Sequence, residues 1–457
     1  MSIFRVQDIK SVSRHINSNE KNMSALDLTL LSVGSVIGTG VMVLTGIIAA
    51  KEAGPGVMLS FLIGGIVASI IVLCYGELCS AVPSSGGSYT FAYVALGELF
   101  AYIVGLSISV AYVLSTATVG AGWSAYFVSF LSELGINFPK ALSNIPGDGG
   151  IVNFPAIIAI LLITFVISIG TRESKKVNNI IVLIKVGVIA IFIFIGVFHI
   201  SSSNWIPFLP YKITGVLSGA AAVFYAYCGF DSIASAAPYV KNPKKSLTIG
   251  LLASLGICIL VYIAVSAVLT GLTSYKNLDV ADALSYGLTI VGKPKIALIV
   301  SLGSVIGILA VIFANNFTTS QILATMSRDG LLPKIFGRNN KKDVPIVALW
   351  IIGILEAIFA GFFNMKLLAS FSSIAFLLVY GTVSFSVIFF RKRYPNLKRE
   401  FSTPLFPIIP ILGTASCLFL MANLPKITWI IFAIILVFIL ITYFVYGKNN
   451  SKIKELQ

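Results

Sequence analysis

The chain has 457 residues, of which 57% are hydrophobic and 11% charged, and its mean hydropathy is +0.97. A soluble globular domain carries about a quarter of its residues as charges, so this composition excludes one. The formal net charge of +15 brings nucleic acid to mind as a partner, but the way the charges are distributed argues for a membrane instead.

Residues 1–26 are polar and read as a cytoplasmic tail. The stretch 4–21 suits a basic helix on the inner leaflet and an unstructured tail equally well. The first apolar run is too long for a signal-peptide core, so it is expected to be retained. Apolar stretches of roughly 18 residues or more, each able to cross about 30 Å of hydrocarbon, then recur along the chain. They predict about twelve spans, near 27–50, 57–80, 91–133, 153–170, 179–200, 213–237, 247–271, 294–325, 345–363, 367–390, 407–424 and 427–447. No hydrophilic domain interrupts them. The expected organisation is a transmembrane domain over 27–447 and a short cytoplasmic tail over 448–457, the fold class all-α integral membrane.

With the N-terminus inside, 23 Lys and Arg fall on cytoplasmic segments and 8 on outer loops; Lys185 completes the total of 32. Arg328, Lys334, Arg338, Lys341 and Lys342 cluster after the eighth span, and Arg391, Lys392, Arg393, Lys398 and Arg399 after the tenth. This bias puts both termini in the cytoplasm of a multi-pass protein of the cell membrane, plasma or inner. It leaves the bilayer, not nucleic acid, as the partner of the basic residues.

Two spans carry helix-breaking sequence at mid-depth. The first holds Gly34, Gly38, Thr39 and Gly40; the sixth holds Tyr225, Ala226, Tyr227, Cys228, Gly229 and Asp231. Gly34 and Gly38 alone also fit close helix packing through small residues. Interruptions in corresponding places of two halves, here 27–200 and 213–390, point instead to a transporter of inverted repeats. Unwinding exposes N–H and C=O groups that lipid cannot satisfy. Half-helix N-termini then suit a carboxylate, and freed carbonyls suit an ammonium or another cation. A zwitterionic amino acid offers both groups on one carbon.

Lys185 lies inside the apolar run 180–194. A charge near the bilayer centre costs at least about 2.5–3.5 kcal/mol, so such a lysine is expected to face a polar cavity or a partner. Cys74, Cys79, Cys228, Cys258 and Cys417 lack metal spacing and read as packing residues.

The run 24–46 (SALDLTLLSVGSVIGTGVMVLTG) resembles the first helix of amino acid–polyamine–organocation transporters, most of all bacterial relatives of the cationic amino acid transporters. Further matches follow in order: 76–78 (GEL) with 83–89 (PSSGGSY), 170–179 (GTRESKKVNN), 240–243 (VKNP), 326–333 (MSRDGLLP) and the tail 389–447. The resemblance covers nearly the whole chain. It implies a 5+5 inverted-repeat, leucine-transporter-like fold with the first and sixth helices broken and two extra helices over 407–447. It also implies secondary active transport of amino acids by alternating access.

Carried over residue by residue, the resemblance places the substrate carboxylate at Gly38, Thr39 and Gly40 with Ser35 on the preceding turn, and Ile37 among the substrate-binding residues. It places the ammonium at carbonyls of Tyr225, Ala226 and Tyr227, beside Cys228, with Tyr225 as an aromatic gate. Lys185 falls where proton-coupled relatives carry a fifth-helix lysine in place of a sodium site, and its ammonium is expected to bridge first-helix and eighth-helix carbonyls. Protons are then the coupling ion, with no metal and no cofactor.

The chain also departs from the family pattern. Ala111 stands before Tyr112 where many relatives carry a glutamate, Pro238-Tyr239 replaces an acidic pair, and Leu309-Ala310 replaces a hydroxyl pair. Losing the hydroxyls disfavours sodium, a hard cation that needs several oxygens. Losing the glutamate favours neutral or small amino acids. A cationic amino-acid carrier or exchanger and a membrane amino-acid sensor are the alternatives.

Asp231 is expected either to take part at the break or to cap the half-helix after it. Glu77 and Glu173 are expected at the inner face as gate or loop contacts, and Glu356 as an interhelical or interface contact. Trp123, Tyr89 and Tyr93 read as packing or interface anchors, and His15 and His199 as outside the site. No nucleophile–base pair, metal cluster or phosphate loop stands out, so an enzyme is not expected; a channel would need a continuous polar stripe, which is lacking.

Overall fold

The computed structural model describes residues 5–7, 9, 23–84, 86–170, 174–235, 240 and 242–452. Pro238-Tyr239, Glu173, His15 and most of the stretch 4–21 lie outside the described residues.

The first span opens at Ser24, whose hydroxyl accepts from the Asp27 N–H while the Asp27 carboxylate accepts from the Ser24 N–H. This reciprocal cap satisfies two N–H groups that a helix start leaves bare. The helix runs Ala25–Val36, breaks, and resumes as a widened, π-type turn over Gly40–Leu44, an α-turn over Thr45–Ile48 and a second wide turn over Ala49–Ala53. The sixth span runs Lys212–Val223, tightens over Phe224–Tyr227, breaks, and resumes at Ser232–Ser235. The other spans are Val57–Ala81, Glu98–Glu133, Phe154–Ile169, Ser174–Val197, Pro243–Leu272, Pro294–Arg328, Ile346–Phe362, Met365–Arg393, Ile408–Ala422 and Lys426–Thr442.

One boundary differs from expectation. The apolar run 91–133 is not one helix: a short buried helix, Ser88–Ala95, ends before Gly97, and the long third span starts at Glu98. Gly97 sits at φ 104°, a conformation that costs glycine little and a side-chain-bearing residue much.

The helices pack in a pattern that survives exchange of the two halves. The second span packs on the seventh, the third on the eighth and the fourth on the ninth, each on its own counterpart five spans away. The third packs on the tenth as the eighth packs on the fifth; the first packs on the seventh as the sixth packs on the second. Self-paired elements lie along a two-fold axis, so the packing is that of two repeats, with the eleventh and twelfth spans outside the scheme. The outward faces carry Leu162, Phe165, Phe194, Leu260, Ile354 and Phe438 exposed. An apolar surface of that extent suits lipid, not water.

Candidate substrate site between the first and sixth spans

The two breaks meet. A Cβ built on Gly40 would stand 2.4 Å from the Ala226 Cβ and 2.5 Å from its Cα, so only a glycine lets the backbones come this close. Gly229, at φ +107°, lies over the Ser35 carbonyl, and Ser232 donates to the Ser35 hydroxyl at 3.2 Å. Ser35, Ile37, Thr39, Tyr225, Ala226, Tyr227, Cys228 and Asp231 are all buried. The structure thus brings the sequence-predicted residues of both spans into one place.

Ending a helix at Val36 strands the carbonyls of its last turn. Gly34 and Ile37 give theirs to Lys185, whose ammonium donates to both at 2.6 Å. Val36 gives its carbonyl to the Tyr262 hydroxyl at 2.9 Å, and the same hydroxyl lies 2.7 Å from the Ala226 carbonyl. Tyr262, on the seventh span, therefore ties the two breaks together with one shared proton. Ile37, expected among the substrate-binding residues, has its carbonyl taken by Lys185 in this conformation.

Lys185 is fully buried. Both acceptors of its ammonium belong to the first span. The expected bridge to an eighth-span carbonyl is replaced by packing: a Cβ on Gly307 would stand 2.9 Å from the lysine's Cβ and 3.1 Å from its Cγ and Cδ. The eighth span thus houses the stem, and the first receives the charge.

Above the break, Thr39 and the Tyr225 hydroxyl lie 3.4 Å apart, and that hydroxyl donates to the Ser115 carbonyl at 3.1 Å. Asn315 donates to the Ser115 hydroxyl at 3.2 Å. Thr39 also packs against Gly122, where a Cβ would stand 2.4 Å from its methyl. Below the break, Tyr112 and Tyr380 both donate to the same carboxylate oxygen of Asp231, each at 2.8 Å. Asp231 is therefore more than a helix cap: it gathers the third and tenth spans onto the sixth.

The two ends of the bundle differ. Near the Glu133 end of the third span lies a cavity of about 590 Å³, lined by Ala121, Ser129, Glu133, Asp282, Tyr286 and Met365 among others. At the opposite end, Glu77 is fully buried and holds Arg391 by two bonds of 2.8 and 2.7 Å, Arg399 at 3.1 Å and the Thr403 N–H at 2.7 Å. There Tyr89 donates to Asp329 at 2.7 Å and Tyr93 to Glu98 at 3.1 Å. Both rings are fully buried, so of the two roles expected, packing or interface anchor, they take packing. Trp123 packs inside as well, its indole N–H on the Val305 carbonyl at 2.9 Å.

Sequence reasoning missed Tyr262, Tyr112, Tyr380, Ser115, Asn315 and Gly307. A buried phenol needs a hydrogen-bond partner, which marks such tyrosines as worth asking about, but their partners are set by helix register.

Broken helices facing each other in the middle of an apolar bundle define a membrane transport protein. The chain belongs to the amino acid permease family, whose model matches residues 23–455. It is 39% identical to the methylthioribose transporter of Bacillus subtilis, over 99% of this chain and all of that one. It is 38% identical to the branched-chain amino acid permease BcaP of the same organism, over 99% of each. The vacuolar cationic amino acid transporter 4 of Arabidopsis thaliana is 31% identical over 86% of this chain and 68% of its own. These relatives are named as transporters or permeases, not as enzymes.

Proposed function

We propose that the protein is a secondary active carrier of small or neutral amino acids, coupled to protons and working by alternating access. In this reading both termini lie on the cytoplasmic side of the cell membrane, as the positive-inside bias of the basic loops supports. The observation that carries the proposal is the position of Lys185. One removable charge holds two carbonyls that unwinding has freed. Loss of its proton removes a charge-assisted donor from the first-span break, which then has less to hold it in place.

The substrate's carboxylate is received by the N–H groups of Gly40 and Val41, since the carbonyls one turn behind them, on Val36 and Ile37, are held by Tyr262 and Lys185, whereas the Met42 N–H already donates to the Gly38 carbonyl at 3.3 Å. Its ammonium faces the sixth-span break, where a carbonyl already holding one donor still has a second lone pair. Ala111 leaves no carboxylate on the third span at that point, which favours a neutral side chain. The cavity at the Glu133 end and the Glu77–Arg391 closure at the other end fit a state open toward the outside.

Uptake of radiolabelled leucine into proteoliposomes, under an imposed inward proton gradient and with twenty amino acids and methylthioribose as competitors, tests the reading. Accumulation that neutral amino acids suppress is the expected result. Competition by arginine and lysine alone would make the chain a cationic carrier, and competition by methylthioribose alone would exclude amino acids as its cargo. Lys185→Ala should abolish gradient-driven accumulation; unchanged accumulation would remove the proton role.

A further inference from the structure

Glu356 lies in the ninth span, fully buried, and neither of its carboxyl oxygens has a hydrogen-bond partner among the described residues. Thr116 of the third span and Asn316 of the eighth lie beside it. The Asn316 side-chain oxygen is likewise buried without a partner among the described residues.

The hydrogens in this cluster can be counted. Thr116 donates its proton to the Tyr112 carbonyl at 2.9 Å, and Thr164 donates to the Ile160 carbonyl at 2.8 Å. Asn316 donates one N–H to the Thr164 hydroxyl at 3.1 Å. Turning that amide over would set its oxygen against a hydroxyl whose proton goes to the Ile160 carbonyl, so the network assigns the N–H to Thr164. One amide N–H remains for two carboxyl oxygens, the amide oxygen and the Thr116 lone pairs. Two of the three oxygens therefore lack a hydrogen, and one added proton, bonded to one and shared with the other, serves both.

Charge does not make up the difference. The ninth span carries no charged residue besides Glu356, and the described fourth span, Phe154–Ile169, carries none. The third has Glu98 and Glu133 at its ends, and the eighth has Lys295 and Arg328 at its ends. Arg328 is twelve positions from Asn316, about 18 Å along a helix. An ionised carboxylate buried without a counter-charge is among the costliest groups a protein can hold.

We propose that Glu356 is a proton-binding site of the membrane domain, occupied in this conformation, with its acid hydrogen shared with the Asn316 oxygen. A single proton on Glu356 supplies the missing hydrogen and removes the uncompensated charge together. The site stands apart from Lys185. It adjoins the substrate region by one step of sequence on each of two helices: Ser115 and Asn315 join toward Tyr225, and Thr116 and Asn316 flank Glu356.

Infrared difference spectroscopy of the purified full-length protein at neutral pH tests this without any substrate. The wild-type minus Glu356→Gln spectrum should contain a carboxylic-acid C=O band that shifts on deuteration, and Asn316→Leu should move that band. Loss of the paired carboxylate bands instead would overturn the proposal; an unmoved band in Asn316→Leu would overturn the sharing. If the glutamine variant does not fold, wild-type protein labelled with carboxyl-13C glutamate decides: an isotope-shifted acid band is expected, and its absence overturns the site.

Discussion

Gly307 of the eighth span leaves the space that the stem of Lys185 fills, with the lysine's Cβ 2.9 Å from where a Cβ on the glycine would be. The contact lies close to both backbones, so a methyl group there cannot be relieved by swinging a side-chain tip. Gly307→Ala gains about 1 kcal/mol of helix propensity and loses about 1–3 kcal/mol to overpacking. Stability should therefore change by less than about 2 kcal/mol, while uptake falls at least tenfold because the ammonium is displaced from Gly34 and Ile37. Thermal midpoint and uptake measured on the same preparation check this; unchanged uptake would remove Gly307 from the lysine's housing.

Tyr262→Phe removes the one hydroxyl shared by the Val36 and Ala226 carbonyls. Net loss of such a bond is worth about 0.5–1.5 kcal/mol, which predicts a small drop in thermal midpoint. The larger effect should be on KM for the transported amino acid, since both breaks lose their common tether. Equal KM values for variant and wild type would show that the tether does not shape the site.

Tyr112 and Tyr380 donate to one oxygen of Asp231, so each covers for the other. Either single change to Phe should cost less than half of what the double change costs. Hydrogen bonds to a charged group contribute about 1.5–3 kcal/mol, and the double variant should show a coupling of about 1 kcal/mol or more in a thermal-stability cycle. Simple additivity would mean that the two hydroxyls act independently of each other and do not cover for one another at Asp231.

Glu77→Ala strips Arg391 and Arg399 of their shared carboxylate. Breaking a buried ion pair from one side costs about 3–5 kcal/mol; Arg391 is 21% exposed, which sets the expectation at the lower end. A cysteine placed near Thr403 in this variant should react faster with a thiol reagent added from the basic-loop side. Unchanged reactivity would mean that the pair stabilises the fold without closing that end.

Gly40→Ala puts a methyl group into the Ala226 backbone, which cannot yield as a flexible side chain can. Protein that reaches the membrane should bind and transport the amino acid at least tenfold less well than wild type, read by uptake normalised to protein in the vesicle. Wild-type uptake would show that the two breaks need not touch.

The breaks in the first and sixth spans were legible because glycine in the middle of an apolar run is costly without a reason, and Lys185 because a charge there is costlier still. The partners were not legible. Which carbonyls Lys185 and Tyr262 reach depends on the relative rotation and height of the fifth and seventh helices, and no local signal fixes either. Asp231 stayed open between a part at the break and a cap because only its own helix was in view; Tyr112 and Tyr380 come from 119 and 149 positions away. The short Ser88–Ala95 helix was hidden because its apolar composition runs on into the third span, and only the backbone at Gly97 separates them.

The exchangeable packing of the two halves has a consequence for Lys185. The fifth-on-eighth seam and the tenth-on-third seam are the same joint built twice. In the second copy, Ser372 donates to the Ala111 carbonyl at 2.8 Å, a neutral fastening. In the first, the stem of Lys185 packs on Gly307 and its charge reaches across to the first span. Of two like joints, one carries an ammonium on its stem and the other is fastened by a neutral hydroxyl, so a change at Lys185 would loosen one seam of the two-fold design and leave its twin as it was.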